Sequence, residues 1–316
     1  MPDDSPYVAR DNAHPDLSKL AGGIAVITGG ASGIGYSLAE TAIEHGLHPV
    51  IADIDLKAIT AAEQSLQQQA KRAGVEVFGV QVDVSLESQV QQLAESISAR
   101  YPKKPISLLC CNAGAGAGGN VLTANDIDWK FVLGVNVRGV ANCVRIFVPG
   151  MMSQQGPGSV VMTASQDGLC AAQGVYGVSK HACVALSESL YQEVAGRVSV
   201  HVLCPNIVAT NIVRSNRRRP ERYGGTTREL NQELDDRFKA FGMPPATCAS
   251  MAFDAIRTGD FYILAEAEDD PGHIRRQVEV RMEAILEGGK PSRPTSELIT
   301  RVLGRKHPLR PETDDD

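Results

Sequence analysis

The feature that most limits the possible folds is a regular alternation of short apolar runs with longer amphipathic stretches. The apolar runs, rich in β-branched residues, lie at Gly23–Thr28, Val50–Ala52, Val75–Val82, Ile106–Cys111, Ser159–Thr163, Val198–Cys204 and Phe261–Leu264. Helix-like stretches between them include Gly33–His45, Leu56–Ala73 and Leu86–Arg100. Strands that are apolar throughout and alternate with helices predict a parallel sheet covered on both faces. The expected fold class is therefore α/β, a doubly wound parallel seven-stranded sheet with helices on both faces in a single domain.

The polar segments at both ends define the domain boundaries. Residues 1–21 predict a flexible N-terminal arm, and residues 22–290 carry the alternating pattern. Residues 291–316 form a C-terminal extension, of which we expect the acidic last part to be disordered. Within the domain, residues 206–245 are polar, rich in arginine and glycine, and lack a strand pattern. Because loops at the carboxyl ends of parallel strands border the ligand crevice, this segment is expected to be a substrate loop or lid.

Composition excludes several classes of protein. The net charge of −6 offers no basic field for nucleic acid or anionic lipid. No uninterrupted apolar run approaches the roughly 18 residues of a membrane span, and no signal peptide is evident. The seven cysteines are scattered and form no C-x-x-C pair, which argues against disulfides and a metal site. We expect a cytoplasmic protein with no nucleic-acid or membrane partner and no metal.

A glycine-rich turn follows the first predicted strand and opens the first helix. Its glycines of interest are Gly29, Gly33 and Gly35, with Ser32 and Ile34 between them. Glycine lets the backbone approach a pyrophosphate without a Cβ clash, and the helix N-terminus offers free N–H groups. Taken alone, such a turn is weak evidence for nucleotide binding. Its position between a strand and a helix is the one that the mechanism requires.

The second strand ends in an acidic residue, Asp53, about 18 residues after Gly35. A carboxylate there can accept hydrogen bonds from both hydroxyls of an adenosine ribose. The alternatives are a solvated strand-end acid or a helix cap, although Asp55 is better placed to cap the next helix. The same charge would repel a ribose 2′-phosphate. The prediction is therefore NAD (NADH) as cofactor, with NADP less favoured.

Tyr176 and Lys180 are four residues apart in a helical pattern, so both side chains lie on one helix face. A free phenol has a pKa of about 10, and a neighbouring ammonium lowers it by stabilising the phenolate. The tyrosine could then exchange protons near neutral pH. In isolation, this spacing is more typical of two surface residues.

Five motifs in this order change that interpretation: Thr28-Gly29-x-x-x-Gly33-x-Gly35, Asn112-Ala113-Gly114, Asn136 in GVNVRGV, Ser165 in GSVVMTAS, and Tyr176-x-x-x-Lys180. Together they closely resemble the classical short-chain dehydrogenases/reductases over roughly residues 22–265. The resemblance implies a Rossmann-type fold with strand order 3-2-1-4-5-6-7. It also implies an oxidoreductase that moves a hydride between a nicotinamide and an alcohol or carbonyl carbon.

The resemblance implies four catalytic roles. Tyr176 is the general acid/base, and Lys180 lowers its pKa and binds the nicotinamide ribose. Ser165 holds the substrate oxygen, and Asn136 keeps a water in the proton relay. Backbone capping is the alternative role for Asn136, as it is for Asn112.

The resemblance also implies further cofactor contacts beyond the glycine turn and Asp53. These are Asp83 and Val84 at the adenine, Asn112, Ala113 and Gly114 beside the adenosine ribose, and Pro205, Val208 and Thr210 around the nicotinamide.

Three positions depart from the family pattern. Asn206 follows Pro205 where the family usually has glycine, and Cys111 precedes Asn112 where the family usually has asparagine. Ser165 also stands closer to Tyr176 than is usual, and Thr163 would restore the longer spacing. Ser165 is preferred because it keeps the expected distances from the glycines on either side of it.

A weaker resemblance reaches the bacterial Cα-dehydrogenases of lignin dimers, through segments such as DWKFVLGVNVRGV and NIVRSNRRRPERYGG. It implies a bulky or aryl-bearing secondary alcohol or ketone as substrate. The candidate substrate contacts are Gln166, Asp167 and Tyr223; for Asp167, two residues past Ser165, a loop hydrogen bond or a capping role is the favoured alternative. The family commonly forms a homodimer or homotetramer, here through Leu86–Arg100 and Thr123–Ser153. The alternatives are a family member recruited for non-redox chemistry, such as a cyclase or dehydratase, and a cofactor-binding non-enzyme. Retention of the catalytic residues argues against both.

The lid segment carries a basic run, Arg217–Arg219. It is expected to be a solvated loop, and contact with an anionic substrate is the alternative. We also expect the lid to set substrate specificity with little effect on cofactor affinity.

Overall fold

The computed structural model describes residues 16–116, 119–172, 174–194, 196–226, 229–267 and 270–291, together with Val302. Most of the predicted N-terminal arm and of the C-terminal extension lies outside the described residues. Residues 227 and 228 of the predicted lid lie outside them as well.

Seven parallel strands form one sheet in the order β3-β2-β1-β4-β5-β6-β7. Their bounds are Ile24–Thr28 (β1), His48–Asp53 (β2), Phe78–Gln81 (β3), Ile106–Cys111 (β4), Ser159–Thr163 (β5), Ser199–Pro205 (β6) and Tyr262–Ala265 (β7). The chain reverses direction across the sheet between β1 and β4, where doubly wound folds bind their ligands. The predicted fold class and strand order are confirmed.

Helices cover both faces of the sheet. Their bounds are Gly33–Glu44 (α1), Leu56–Ala73 (α2), Glu87–Arg100 (α3), Asp126–Leu133 (α4), Val140–Ser153 (α5), Gly174–Val194 (α6), Gln232–Phe241 (α7), Pro245–Thr258 (α8) and His273–Leu286 (α9). Side chains of α1, α2 and α8 pack into an apolar cluster on one face of the sheet. Side chains of α3, α5 and α6 pack into a second cluster on the other face.

Local sequence signals explain several element boundaries. Asp55 caps α2 by accepting hydrogen bonds from the backbone N–H groups of Lys57 and Ala58, as predicted. Pro49 is the second residue of β2. The N–H of His48 donates to the carbonyl of Gly23, immediately before β1, so Pro49 faces the β3 side, where pairing begins only at Val50. A missing N–H is therefore tolerated at Pro49.

One helical stretch, Asp126–Ser153, is long and apolar enough to cross a membrane by length and composition. It comprises α4, a π-helical segment at Gly134–Gly139, and α5. Half of its apolar window is buried inside the fold. A core helix of a folded domain meets the same criteria.

Candidate active site

A cavity of about 630 Å³ opens at the carboxyl ends of the strands, and it brings together most of the predicted site residues. Of those predictions, it is lined by Gly29, Ser32, Gly33, Ile34, Asp53, Asp83, Val84, Asn112, Ala113, Gly114, Ser165, Gln166, Asp167, Tyr176, Lys180, Pro205, Val208 and Thr210. Three predicted residues do not line it: Gly35, Asn136 and Tyr223.

The glycine turn is shaped for close backbone approach. Gly29 and Gly33 have φ of 64° and 56°, which favour glycine. A Cβ on Gly35 would lie 2.2 Å from the Gly29 carbonyl oxygen, so α1 packs directly on the turn. Ser32, at the start of α1, makes no side-chain cap, which leaves the first N–H groups of the helix available to an anion.

Thr28 and Asn112 join the ends of β1 and β4. The Thr28 hydroxyl accepts hydrogen bonds from the backbone N–H groups of Asn112 and Ala113, at 3.0 and 3.1 Å. The Asn112 amide nitrogen donates to the Thr28 carbonyl at 3.1 Å. Its amide oxygen accepts from the Thr163 hydroxyl, also at 3.1 Å. Asn112 therefore serves the backbone-capping role that the sequence left open, while also lining the cavity.

Asn136 is buried in the π-helical segment, and its amide group hydrogen-bonds the backbone of the loop after β4. Its amide oxygen accepts from the Ala115 N–H at 2.7 Å, and its amide nitrogen donates to the Ala115 carbonyl at 3.0 Å. The nitrogen also lies 2.9 Å from the Ser179 hydroxyl on α6. Asn136 thus holds the loop after β4 against the helix that carries Tyr176.

Lys180 projects from α6 into the base of the cavity. Its buried ammonium donates to the Thr163 carbonyl at 2.9 Å and lies 5.5 Å from the centroid of the Tyr176 ring. Burial lowers the pKa of Lys180. The role of the Thr163 carbonyl as its acceptor was not predicted, because backbone acceptors leave no side-chain signal in a sequence.

Thr163, the alternative to Ser165, has its hydroxyl engaged by Asn112. The Ser165 hydroxyl accepts from the Asp167 N–H at 3.2 Å and lies close enough to Tyr176 to lower the pKa of that phenol. The structure therefore brings Ser165, and not the Thr163 hydroxyl, together with the phenol.

The pKa of Tyr176 is raised, first by burial and second by the negative charge of Asp167. The hydrogen bond with Ser165 acts in the opposite direction. The sequence predicts only that Lys180 lowers the pKa of Tyr176. It does not reveal the opposing charge of Asp167, which a short helical turn at Gln166–Gly168 brings back toward the phenol.

Two carboxylates line the opposite end of the cavity, after β2 and β3. The buried Asp53 accepts from the N–H groups of Ala31 and Asp55, at 3.2 and 3.1 Å, one on each oxygen. Asp83 accepts from the Ser85 N–H and hydroxyl on one oxygen, at 3.0 and 2.7 Å. Its other oxygen forms an ion pair with Arg222.

The segment after β6 is folded, with helical turns at Ile212–Arg218 and Glu221–Tyr223 followed by α7. The predicted solvated basic run is wrong for two of its three arginines. Arg218 pairs with Asp55 at 3.3 Å, and the buried Arg219 pairs with Asp128 at 2.6 Å. Arg217 is exposed.

Tyr223 requires a correction. Its ring packs against Phe131, with 5.5 Å between ring centroids, and its hydroxyl lies 3.3 Å from that of Ser85. It is therefore turned away from the cavity that Gln166 and Asp167 line. The predicted substrate contact is not made in this conformation.

The unusual Asn206 completes its own turn. Its side-chain oxygen accepts from the Ile207 N–H at 2.8 Å, and its N–H donates to the Ala265 carbonyl at 2.9 Å. The turn after Pro205 is thus kept without the usual glycine, and it directs Val208 and Thr210 to the cavity.

The sequence matches the family model of the short chain dehydrogenases over residues 23–221. The chain belongs to this family. It is therefore an oxidoreductase that acts on CH–OH or C=O groups, and the Rossmann-type fold expected from the motifs is confirmed.

Three relatives illustrate the range of the family around this short-chain dehydrogenase. A short chain dehydrogenase/reductase from Burkholderia phymatum, solved in complex with NAD, is 36% identical with a TM-score of 0.78, and the match covers 88% of this chain and 99% of that one. The C alpha-dehydrogenase of a Sphingobium species is 29% identical over 277 residues, which cover 85% of this chain and 87% of the relative. The 3beta-hydroxysteroid dehydrogenase 2 of Eggerthella lenta is 31% identical over 228 residues, which cover 68% and 85%. The Cα-dehydrogenases that the sequence resembles are therefore relatives of this protein.

Proposed function

We propose that the protein is an NAD-dependent dehydrogenase or reductase of bulky, aryl-bearing secondary alcohols or ketones. The observation that carries this proposal is the single cavity that joins Tyr176, Lys180 and Ser165 at one end to the glycine turn and Asp53 at the other. A dinucleotide has the same division, with a reactive ring at one end and an adenosine at the other.

Tyr176 is the proposed general acid/base because it is the phenol at the catalytic end of the cavity. Ser165, which lines the cavity together with Tyr176, would hold the substrate oxygen beside the phenol through its hydroxyl. The ammonium of Lys180, fixed on the Thr163 carbonyl, would favour the phenolate by its charge. Asn136 would act on catalysis by holding the loop after β4 against α6.

The residues fit a nicotinamide dinucleotide. A Cβ on Gly29 or Gly35 would clash with Ala113 or with the Gly29 carbonyl oxygen, so glycine is required for this tight turn, and the start of α1 would bind the pyrophosphate. Pro205, Val208 and Thr210 would face the nicotinamide, which when bound would donate or accept the hydride.

NAD is favoured over NADP by Asp53. Its carboxylate is buried at the cavity wall, where the ribose hydroxyls would bind and a 2′-phosphate would be repelled. The Burkholderia relative, solved with NAD, is consistent with this choice.

The substrate class follows from the apolar wall and from the relatives. Phe131, Val135, Ile212, Val213 and Phe238 line the cavity and would accommodate a large apolar group. The Sphingobium and Eggerthella relatives are named for a lignin-type Cα position and for a steroid. Gln166 adds polar recognition, since its side-chain oxygen has no hydrogen-bond partner among the described residues and could accept one from a substrate hydroxyl.

The test is a panel of secondary aryl alcohols and aryl ketones, each assayed with NAD(H) and NADP(H) by the absorbance of the reduced nicotinamide. We expect turnover of aryl substrates with NAD(H), at higher kcat/KM than for small aliphatic alcohols. Tight cofactor binding with no hydride transfer across the panel would contradict the proposal.

Assembly as a homodimer or homotetramer and a cytoplasmic location stay predictions. Sedimentation velocity of the purified protein tests the first, and fractionation of the source cells tests the second.

A further inference from the structure

The segment after β6 reaches beyond the catalytic end of the cavity. Asn216, Arg218 and Pro220 line the same cavity as Asp53 and Asp83, the two carboxylates at the adenosine end. The loop therefore begins at the nicotinamide contacts, Val208 and Thr210, and continues to the opposite end of the dinucleotide cleft.

Arg222 connects the segment to Asp83. Its guanidinium forms an ion pair with the Asp83 carboxylate and donates to the Ser85 hydroxyl at 2.6 Å. Asp83 is only 7% exposed, so Arg222 compensates a charge that water barely reaches. Ser85 occupies the other carboxylate oxygen, and together the two partners fix the rotation of the carboxylate.

Two further pairs keep this segment in place. Arg218 pairs with Asp55 at 3.3 Å, two residues beyond Asp53. The buried Arg219 forms an ion pair with Asp128 at 2.6 Å, and its guanidinium lies 5.1 Å from the centroid of the Phe131 ring. These three pairs tie the segment to α4 and to the acidic residues that follow β2 and β3.

We propose that Arg218 and Pro220 form part of the wall of the adenosine pocket, and that Arg222, which lies behind this wall, is a positioning residue that orients the Asp83 carboxylate toward the adenine amino group. This proposal rests on the proposed function, because it requires a dinucleotide in the cleft. A carboxylate oxygen can accept two hydrogen bonds, so Arg222 occupies one direction and leaves the direction facing the cavity to the ligand. This proposal departs from the expectation that the loop has little effect on cofactor affinity, and the experiment below distinguishes the two.

The experiment compares R222Q with R217Q, since Arg217 lies on the same segment but is exposed. Dissociation constants are measured by fluorescence titration for NADH, for ADP-ribose and for reduced nicotinamide mononucleotide. R222Q should weaken NADH and ADP-ribose by the same factor, roughly tenfold for one hydrogen bond to a charged group. The mononucleotide constant should stay within about twofold, and R217Q should match the wild type for all three.

Two readouts separate positioning from loss of structure. At saturating NADH, kcat of R222Q should stay within about twofold of the wild type while KM for NADH rises. R222K, which keeps the charge but not the planar fork, should recover part of the affinity. It also keeps the test decisive if R222Q does not fold.

Equal NADH and ADP-ribose affinities in R222Q and R217Q would overturn the proposal. Equal weakening of ADP-ribose and the mononucleotide by R222Q would also overturn it, because the effect would then extend over the whole cleft. If the wild type binds NADH and only these differences are missing, the proposed function stands and the role of Arg222 fails. If the wild type does not bind NADH, both fail.

Discussion

The two ends of the cleft are built in different ways. At the catalytic end, Lys180 is held by a hydrogen bond to the backbone of Thr163, the last residue of β5, and Asn136 by hydrogen bonds to the backbone of the loop after β4. At the adenosine end, Asp83 is held by the side chain of Arg222, 139 residues away in the sequence. The first end depends on how strands and one helix pack, and the second on charges that meet across the fold.

This difference has a consequence for how each end responds to change. Backbone acceptors cannot be removed by a single substitution, so the catalytic end is sensitive chiefly at the reacting side chains themselves. An ion pair is lost when either partner is replaced, and the remaining charge is then left uncompensated. Substitutions in the segment after β6, which contributes no reacting group, can therefore alter the adenosine end.

Replacing the phenol at the catalytic end should have the largest effect. Tyr176→Phe removes the proposed proton donor and should lower kcat by about 10²–10⁴-fold, the usual contribution of general acid/base catalysis. The dissociation constant for NADH should change little, since the ring remains. Steady-state kinetics and a fluorescence titration measure the two quantities. Retention of more than about a tenth of the wild-type rate in the chemical step would point to another acid, with Asp167 the first candidate.

Most of the fold and the proximity of the main catalytic residues could be predicted from the sequence. The apolar runs and the glycine turn predict the strands, because periodicity and local turn chemistry are short-range properties. The order of the strands followed only from the resemblance to the short-chain dehydrogenases/reductases. Tyr176 and Lys180 are neighbours on one helix turn, so their proximity also follows from spacing. The predicted bounds of α2, Leu56–Ala73, agree with the structure for the same reason.

The sequence was not sufficient for the charged contacts. Arg219 and Arg222 belong to a polar, glycine-containing stretch whose composition is that of a solvated loop, yet their partners are Asp128 and Asp83. Nothing in the spacing of these residues records the pairing, which exists only once α4 and β3 are in place. The spacing likewise does not reveal that the charge of Asp167 raises the pKa of Tyr176, because a short helical turn brings the two residues together.

The second prediction tests whether the wall of the adenosine end is part of the folded structure. Arg219→Ala would leave the Asp128 carboxylate, which is 2% exposed, without its charged partner. Breaking a buried ion pair from one side costs about 3–5 kcal/mol of the free energy of unfolding. Urea denaturation of the variant measures the loss. Arg217→Ala, at an exposed position on the same segment, is the control and should stay within about 0.5 kcal/mol of the wild type. Equal stability of the two variants would show that Arg219 is not an anchor.

The third prediction concerns cofactor choice at the same end. Asp53→Ala removes the charge that disfavours a 2′-phosphate, and the ratio of kcat/KM for NAD to that for NADP should fall by roughly tenfold or more. Asp55→Asn is the matched control, because it removes a nearby charge while keeping a side chain that can cap α2. Its ratio should change less. A wild type that uses both cofactors equally, or an unchanged ratio in Asp53→Ala, would show that Asp53 does not contact the ribose.

The smallest effect is expected at the catalytic end, where a substitution at Asp167 tests whether a neighbouring side-chain charge changes the pKa of Tyr176. The negative charge of Asp167 raises the pKa of Tyr176, because it opposes the formation of the phenolate. Asp167→Asn removes that charge and should lower the pKa.

In alcohol oxidation the phenolate is the active base, so activity falls as pH decreases through the pKa of Tyr176. The acidic limb of kcat/KM should therefore move to lower pH in the variant. The backbone N–H that Asp167 donates to Ser165 is kept in the variant, and Asp167→Glu, which keeps the charge, should leave the limb in place. Identical limbs in the wild type and Asp167→Asn would mean that Tyr176 does not sense this carboxylate during turnover, and the catalytic end would then be free of the side-chain charge coupling that marks the adenosine end.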